Sequence, residues 1–245
     1  MKINNLLSSK LILLIFILSG CYSNNIITSE TKDPFEKLNR KIFNFNKKID
    51  QKIVAPISSA YEENIPVTAR NAIGSHLDWI GTPNTIFNST IQMDLENTIL
   101  SSAKFMLNGL TLGFYDLDKG ETAIEKKDFG STLAKFNVPE GPFLMVPILG
   151  PKTTRDFTGT ILGNSIMTNV SSNSLNNLRL LETPLETIDT RLKLSKSIDN
   201  IYESPDPYVK LRSYYIQNRR NKVYGKNYID IKNNKSDTEF EKLLE

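Results

Sequence analysis

Apolar residues recur every three or four positions along most of this chain, a period that predicts helices with one apolar face. The first predicted helix covers residues 34–52. Its apolar stripe consists of Leu38, Ile42, Phe45, Ile49 and Ile53, and its polar face carries Asn39, Arg40, Asn44, Asn46 and Lys47. Asp33-Pro34 provides an N-cap and a first helical residue, and Pro56 is expected to end the segment.

The same period predicts further helices along the chain. One is expected from Pro66 to Gly81-Thr82-Pro83, and a shorter one near residues 84–90. Another starts at the N-cap Asp94 and ends at Gly109, with an inward-facing stripe of Leu95, Ile99, Ala103, Met106 and Leu107. Later helices are predicted at residues 130–136, from Thr153 or Thr154, at residues 173–181 and 185–197 on either side of Pro184, and after Asp206-Pro207. About seven amphipathic helices, with no alternation of strands and helices, predict a mainly α bundle.

One stretch departs from the helical pattern. Residues 139–151 contain a proline every few positions, and Pro142 and Pro147 exclude a regular helix. The stretch is therefore predicted to form a short extended arm or a hairpin. Its bare apolar centre makes these side chains candidates for lipid contact: Phe143, Leu144, Met145, Val146, Ile148 and Leu149. A strand buried in the core explains the same pattern equally well.

The N-terminal region has the pattern of an export signal. Lys2 and Lys10 precede a short apolar run, residues 11–18, which is much shorter than the roughly 20 residues of a membrane-spanning helix. Leu18-Ser19-Gly20-Cys21 resembles the lipobox of bacterial lipoproteins, in which the cysteine receives the lipid and becomes the first residue. A plain secretory signal is the alternative. We expect a leader at residues 1–20, a lipidated Cys21 with a tether to residue 32, a folded body at 33–227 and a polar tail at 228–245.

Composition removes most catalytic classes from consideration. Cys21 is the only cysteine and His76 the only histidine, so thiolate zinc sites, cysteine nucleophiles and histidine pairs are excluded. Beyond the leader the chain carries 28 basic and 27 acidic residues, which gives no global sign of nucleic-acid binding. His76 is interpreted as structural, and the carboxylate pairs that include Glu63 and Asp116 as solvated surface. We expect no enzymatic activity, no metal, and no cofactor apart from the covalent lipid on Cys21.

Six motifs in collinear order resemble one family, the MlaA (VacJ) lipoproteins of the pathway that maintains outer-membrane lipid asymmetry. The first is Asp33-Pro-Phe-Glu-Lys-Leu-Asn-Arg-Lys-Ile-Phe-Asn-Phe-Asn46, followed by Pro66-Val-Thr-Ala-Arg-Asn71. The next are Phe105-Met-Leu-Asn108 with Gly113-Phe114, then Phe129-Gly-Ser-Thr-Leu133. The last are Gly141-Pro-Phe-Leu-Met-Val-Pro147 with Arg155-Asp156, and Ser204-Pro-Asp-Pro-Tyr208 with Tyr215 and Gln217-Asn-Arg219. The match covers about residues 33–220.

The resemblance implies a ring-like helical body in the inner leaflet of the outer membrane, without covalent chemistry. In this family an amphipathic channel removes mislocalised phospholipid from the outer leaflet, a trimeric porin holds the ring, and a periplasmic carrier protein takes the lipid onward. Tyr22 after the cysteine is not the aspartate that retains lipoproteins in the inner membrane. The polar face of Asn39, Arg40, Asn44 and Asn46 is then a candidate channel or headgroup surface, with plain solvent exposure as the alternative.

Two other functions remain open from the residues themselves. A membrane-tethered periplasmic binding or scaffold protein would direct all of its apolar stripes into one core. An anchored hydrolase would need a carboxylate such as Glu63 or Asp116, and is disfavoured by the lack of thiols and of histidine partners.

Overall fold

The computed structural model describes residues 32–118, 123–170 and 173–225. The leader, the predicted lipidation site Cys21, most of the tether and the polar tail lie outside the described residues.

The described chain is mainly helical, as the periodicity predicts. The helices are α1 (Glu36–Ile49), α2 (Ala55–Asn64), α3 (Val67–Ile91), α4 (Leu95–Gly109), α5 (Phe129–Lys135), α6 (Thr154–Val170), α7 (Asn173–Lys193), α8 (Ser195–Tyr202) and α9 (Pro207–Tyr224). A π-helical turn, Asp50–Val54, joins α1 to α2. Two strands, β1 (Phe143–Val146) and β2 (Gly150–Thr153), lie between α5 and α6.

Prolines end fewer helices than the sequence suggests. Pro56 does not close the first segment as expected, but lies in the first turn of α2, directly after the π-helical turn. Pro83 lies inside α3 and Pro184 inside α7, so the predicted breaks at both sites are wrong. Beside Pro83, the Thr82 hydroxyl donates to the carbonyl of Asp78 over 3.0 Å. Packing of long helices therefore outweighs the local penalty of one lost backbone hydrogen bond.

Local capping signals are mostly correct. The Asp94 carboxylate accepts from the Asn97 amide at 3.0 Å, and the Asp206 carboxylate accepts from the Val209 amide at 3.1 Å. Asp33 is the exception. Helix α1 begins at Glu36 without a side-chain cap, and the Asp33 carboxylate instead accepts hydrogen bonds from Asn39 and from the Tyr208 hydroxyl. A tertiary contact has replaced the predicted cap.

The proline-rich stretch forms the predicted hairpin. Strands β1 and β2 are antiparallel, with Phe143 opposite Thr153 and Val146 opposite Gly150. Pro147 lies in the turn between the strands, and Ile148 adopts a positive φ of 66°. One face of β1 is buried and contributes Phe143 and Met145 to the core.

The hydrophobic core is small and aromatic. Phe43 of α1, Phe143 and Met145 of β1 and Tyr208 of α9 are all buried and pack together. The Phe43 and Phe143 rings both meet the Tyr208 ring edge-on, at centroid distances of 6.0 and 6.1 Å. Edge-on aromatic pairs contribute beyond their buried area. This core fixes the hairpin between the first and the last helix.

Two glycines allow α5 and α6 to touch backbone to backbone. A Cβ atom on Gly159 would lie 2.5 Å from the Gly130 nitrogen and 2.7 Å from its Cα.

We expect Gly159→Ala to lower the free energy of unfolding by about 2–3 kcal/mol, because the helices must separate. Gly81→Ala is the matched control. It also lies inside a helix, nothing lies within 4 Å of its added Cβ, and it should stabilise by about 1 kcal/mol. Denaturant unfolding in detergent checks both, and equal midpoints for the two variants would contradict the close contact.

Candidate functional site

The described part of the molecule buries polar side chains and exposes apolar ones. Six of its buried side chains are hydrophobic and sixteen are polar or charged, whereas twenty-four large hydrophobic side chains are exposed. Scattered exposed apolar residues are normal on a soluble protein, but contiguous apolar surface marks contact with a partner or with lipid. The arrangement is the reverse of the usual one.

Helix α4 shows this inversion most clearly. Leu95, Ile99 and Met106 are 68%, 66% and 74% exposed. On the opposite face, Asn97, Ser101 and Asn108 are buried. The expectation that the apolar stripe of this helix faces inward is therefore wrong. Periodicity defines two faces of a helix, but it does not state which of them meets the protein interior.

Helix α1 has the same orientation. Leu38, Phe45 and Ile53 of the predicted apolar stripe are exposed, as is Phe35 just before the helix. Asn39 and Phe43 are the buried residues of α1. Leu38, Phe45 and Ile53 of the stripe thus face away from the protein core, whereas Ile42 packs against it.

Two asparagines of the predicted headgroup face clamp the hairpin to α1. Asn39 is 2% exposed; its amide donates to the Phe143 carbonyl at 3.2 Å and its oxygen accepts from the Met145 N–H at 2.9 Å. Asn46 does the same about two helical turns further on, with the Val146 carbonyl and the Ile148 N–H, both at 2.9 Å. The prediction of a channel or headgroup role is thereby corrected for Asn39, since both of its amide atoms are buried against the backbone. Asn46 is half-buried, and both of its amide atoms are likewise bonded to the hairpin backbone.

The other two residues of that face behave differently. Arg40 holds both carboxylate oxygens of Asp206, at 3.0 and 2.9 Å, and pairs with Glu36 at 2.8 Å. Hydrogen bonds to Asp206 and Glu36 raise the pKa of Arg40. Asn44 is exposed. For Arg40 and Asn44 a role toward headgroups stays a prediction.

Two further asparagine clamps were not identified from the sequence. The Asn97 side chain pairs with both the carbonyl and the N–H of Glu125, at 3.0 and 2.9 Å. The Asn108 oxygen accepts from the Leu117 N–H at 2.9 Å, and its amide donates to Asp116 at 3.0 Å. Asparagine is unfavourable in helix interiors. Its recurrence on the polar stripes of the helices was therefore the sequence signal from which these clamps could have been predicted. Each clamp provides hydrogen bonds to loop backbone groups that have no partner in a strand or helix.

The candidate lipid-contact residues of the hairpin divide into three groups of two. Phe143 and Met145 are buried in the core, so lipid contact is wrong for these two and the alternative of a core strand holds for them. Leu144 and Val146 alternate with them and are half-buried, and for these two lipid contact stays a prediction. Ile148 and Leu149 at the turn are exposed, and for these lipid contact stays a prediction.

An amphipathic cavity of about 630 Å³ lies beside this hairpin. Helices α1, α7, α8 and α9 and the π-helical turn form its other walls. Its apolar lining includes Phe43, Val54, Ile148, Leu149, Ile198 and Leu211, and its polar lining includes Lys47, Asp50, Lys152, Thr190, Arg191 and Tyr202. Pockets for small amphiphiles combine an apolar lining with a few polar groups in this way.

The charges in the cavity are unequally compensated. The Arg191 guanidinium donates to Asp50 at 2.9 Å and to Asp199 at 2.9 Å, which closes one ion-pair network. Burial and the neighbouring Asp50 charge raise the pKa of Tyr202, so its hydroxyl stays neutral. Burial lowers the pKa of Lys152, although Asp156 partly opposes that shift.

The groups considered for catalysis have structural surroundings. His76 Nδ1 lies 2.6 Å from the Leu112 carbonyl oxygen, and its ring stacks on Phe114 at 4.4 Å. Asp116 is engaged by Lys104 at 3.4 Å, while Glu63 is exposed. Within the described ranges, no three acidic, histidine or cysteine side chains are grouped to hold a metal ion. Nor is any helix in those ranges both long enough and apolar enough to cross a membrane.

These features define a mainly α-helical protein with many buried polar side chains, many exposed apolar ones and an amphipathic cavity. The chain belongs to the MlaA lipoprotein family, whose model matches residues 31–222. The resemblance predicted from the six motifs is thereby confirmed.

Relatives cover most of the chain. An intermembrane phospholipid transport system lipoprotein, MlaA from Escherichia coli (strain K12), is 30% identical over 208 residues, 82% of each chain. An uncharacterised protein of Rickettsia felis is 32% identical over 189 residues, 75% of each chain. A solved structure, from work on the structural basis for maintenance of bacterial outer membrane lipid asymmetry, matches with a TM-score of 0.68 at 28% identity. That match covers 78% of this chain and 99% of the other.

Proposed function

We propose that this protein is an outer-membrane lipoprotein that removes mislocalised phospholipid from the outer leaflet and so maintains lipid asymmetry. The observation that carries the proposal is the inverted burial. Apolar side chains such as Leu95, Ile99 and Met106 face outward, where acyl chains can solvate them as well as a protein core does. The names of the relatives support phospholipid as the transported molecule.

In this proposal the body is embedded in the inner leaflet, and a lipid anchor on Cys21 adds a second attachment. One acyl chain alone gives only marginal membrane binding, so two signals are needed for stable anchoring. Lipid passes through the amphipathic cavity, whose polar groups accompany the headgroup while its apolar wall meets the chains. A trimeric porin that holds the body in place and a periplasmic carrier that receives the lipid complete the proposal. Both of these rest on the family resemblance.

The cavity also favours a second candidate, a tethered periplasmic binding protein without a lipid channel. The two functions differ in where the body resides once its anchor is gone. A leaflet-embedded body stays with the membrane, whereas a tethered binding protein becomes water-soluble.

We expect the protein without its leader and with Cys21→Ser to bind phospholipid vesicles. Changing Leu95, Ile99 and Met106 together to asparagine should lower the vesicle partition coefficient at least about tenfold, because each exposed side chain loses a transfer free energy of about 1.5–3 kcal/mol. Vesicle flotation measures this directly. Glu96→Gln on the same helix is the control and should bind as the parent does, since Glu96 is exposed and polar.

A soluble monomer that does not bind vesicles would contradict the embedded body and favour the tethered binding protein. Equal partition of the triple variant and its parent would instead show that this part of the apolar surface does not meet lipid.

A further inference from the structure

Three lysines form a row along the outer side of α1. Lys37, Lys41 and Lys48 lie within about 40° of one another around the helix axis, because their spacings are close to whole turns. All three are exposed, and none makes an ion pair or a side-chain hydrogen bond with another described residue. Asn39 and Phe43, the buried residues of α1, lie on the opposite side of the helix. The lysine row therefore points directly away from the protein.

The two flanks of the lysine row differ in polarity. On one flank lie the exposed apolar side chains of Leu38 and Phe45, about 60–80° further around the axis. On the other flank lie Asn44 and Arg40, and two carboxylates balance the charge of Arg40. An apolar band, a band of uncompensated positive charge and a polar band thus follow one another around the helix. A helix at the boundary between hydrocarbon and water has this order, with lysine ammonium groups at the level of the headgroups.

The partner that fits these three bands is a membrane surface with anionic headgroups. An acidic protein would match the lysines alone. The apolar band, however, continues past α1 through the exposed Ile53 and Ile57, and α4 carries a second exposed apolar face. Hydrocarbon covers such a surface without a matching shape, whereas a protein partner would have to be complementary to all of it.

The direction of the lysine row sets the orientation of α1. The row runs nearly parallel to the helix axis, and its two ends, Lys37 and Lys48, are about 16 Å apart along that axis. The headgroups of one leaflet lie at one depth. All three lysines reach that depth together when the helix axis is parallel to the membrane plane.

We propose that α1 lies in the plane of the membrane surface and that Lys37, Lys41 and Lys48 bind the phosphates of anionic phospholipids there. The inference rests on the proposed function, since it assumes a body embedded in a leaflet. It adds the orientation of α1 and a preference for anionic lipid. Each ammonium group binds a headgroup separately as a point charge, so the three lysines need no shared site.

Vesicle flotation of the Cys21→Ser protein without its leader tests the preference for anionic lipid. One set of vesicles contains phosphatidylcholine alone, and the other contains phosphatidylcholine and phosphatidylglycerol in equal parts. We expect binding to the anionic vesicles to be tighter by a factor on the order of one hundred at low salt, because each lysine contributes a factor of about five. At about 1 M salt the preference should fall to about twofold or less, because the Debye length shrinks to about 3 Å.

Two pairs of substitutions locate the effect on the protein. Lys41→Gln combined with Lys48→Gln should leave a preference of only about fivefold, whereas the same pair changed to arginine keeps the charge and should retain it in full. Lys135→Gln combined with Lys196→Gln is the matched control. Lys135 and Lys196 are exposed, lie on α5 and α8, and their replacement changes the net charge by the same amount. This control should keep the preference of the parent protein.

Four outcomes separate this inference from the function on which it rests. Equal binding of all variants to the neutral vesicles is expected and shows that the fold and the apolar contact are intact. If the parent protein binds both vesicle types equally, the lysine row does not meet lipid and is left for an acidic protein, while the embedded body stands. If the control pair loses as much preference as the α1 pair, net charge is responsible and the assignment to α1 is wrong. If the parent binds neither type, the embedded body of the proposed function fails as well.

A depth measurement tests the orientation of α1 independently. Since Cys21→Ser removes the only cysteine, Leu38→Cys and Phe45→Cys can each carry a single fluorescent label. Quenching by nitroxide lipids should place both labels at the same depth below the headgroups. A difference of about 10 Å between them would mean that α1 is upright in the leaflet, and would overturn the in-plane orientation.

Discussion

Replacing Arg219 by methionine is expected to lower the free energy of unfolding by about 4 kcal/mol, the largest single effect we anticipate. The Arg219 guanidinium of α9 holds both oxygens of Asp128, at 2.6 and 2.8 Å, and one oxygen of Asp156 at 2.7 Å. Asp156 is buried and also accepts from the Tyr215 hydroxyl at 2.6 Å. Without the guanidinium, Asp128 keeps Lys222 at 3.1 Å and Asp156 keeps a longer contact with Arg155 at 3.7 Å, so the two carboxylates are left close together with less positive charge between them. This cluster joins α5, α6 and α9, so its loss loosens three elements.

The stability that Arg219 contributes should depend on pH, and the direction of that dependence follows from the pKa of Asp128. Burial by itself raises the pKa of Asp128, but the hydrogen bonds and charge of Arg219 outweigh it and hold that pKa well below its usual range. The stabilisation is therefore fully present above about pH 4, the unfolded value, and is lost as the pH falls below it. In Arg219→Met protonation of Asp128 removes a charge that has lost its main partner. The difference in stability between wild type and variant should shrink as the pH falls from about 7 toward about 3.

Chemical unfolding in detergent, followed by circular dichroism at each pH, measures both effects. Arg40→Met is the control, because Arg40 also pairs with two carboxylates, on the surface. Exposed pairs contribute about 0–1 kcal/mol, so this variant should be nearly neutral. A constant difference between Arg219→Met and wild type over the whole pH range would refute the role assigned to the buried carboxylates.

Asn39→Ala is expected to lower the free energy of unfolding by about 3 kcal/mol. The change leaves the Phe143 carbonyl and the Met145 N–H without their side-chain partner inside the core, and each unsatisfied buried group costs about 1–3 kcal/mol. The bond from Asn39 to Asp33 is lost as well. Because Phe143 and Met145 belong to the core, the hairpin should loosen from α1 before the remaining helices unfold.

Two measurements check this expectation. The unfolding midpoint gives the global effect, and hydrogen exchange at the Met145 amide reports the local one. Asn44→Ala on the same helix is the control; Asn44 is exposed and its replacement should change stability by less than about 0.5 kcal/mol. Equal exchange rates at Met145 in both variants would mean that Asn39 does not hold the hairpin.

Much of the local structure was predictable because it depends on neighbours in sequence. The N-caps Asp94 and Asp206 bond to amides three residues away, and the prolines around Phe143 exclude a helix whatever surrounds them. Prolines inside long helices were not predictable in the same way. At Pro83 and Pro184 the helix continues because tertiary packing offsets one missing hydrogen bond.

The candidate site was less predictable, since its residues act across long separations in the chain. Asn39 meets the backbone 104 residues away, and Asn46 meets it 100 residues away. Sequence alone shows a polar helix face at both positions and gives no sign that the partner is a hairpin backbone. The cavity beside the hairpin is similar, because its walls come from α1, β2, α7, α8 and α9, which lie far apart in the sequence.

By itself the sequence determined the mainly α class, the non-helical stretch around Phe143 and the family, because periodicity, proline placement and collinear motifs are properties of the order of residues. Only the tertiary structure decided which face of each helix is turned inward. An apolar stripe has a fixed position around its own helix axis but none relative to the protein, and the surrounding medium selects the side on which it lies. Here Asn97 and Asn108 are buried while Leu95 and Ile99 face outward, and the hydrogen bonds by which the two asparagines hold the loops explain that choice.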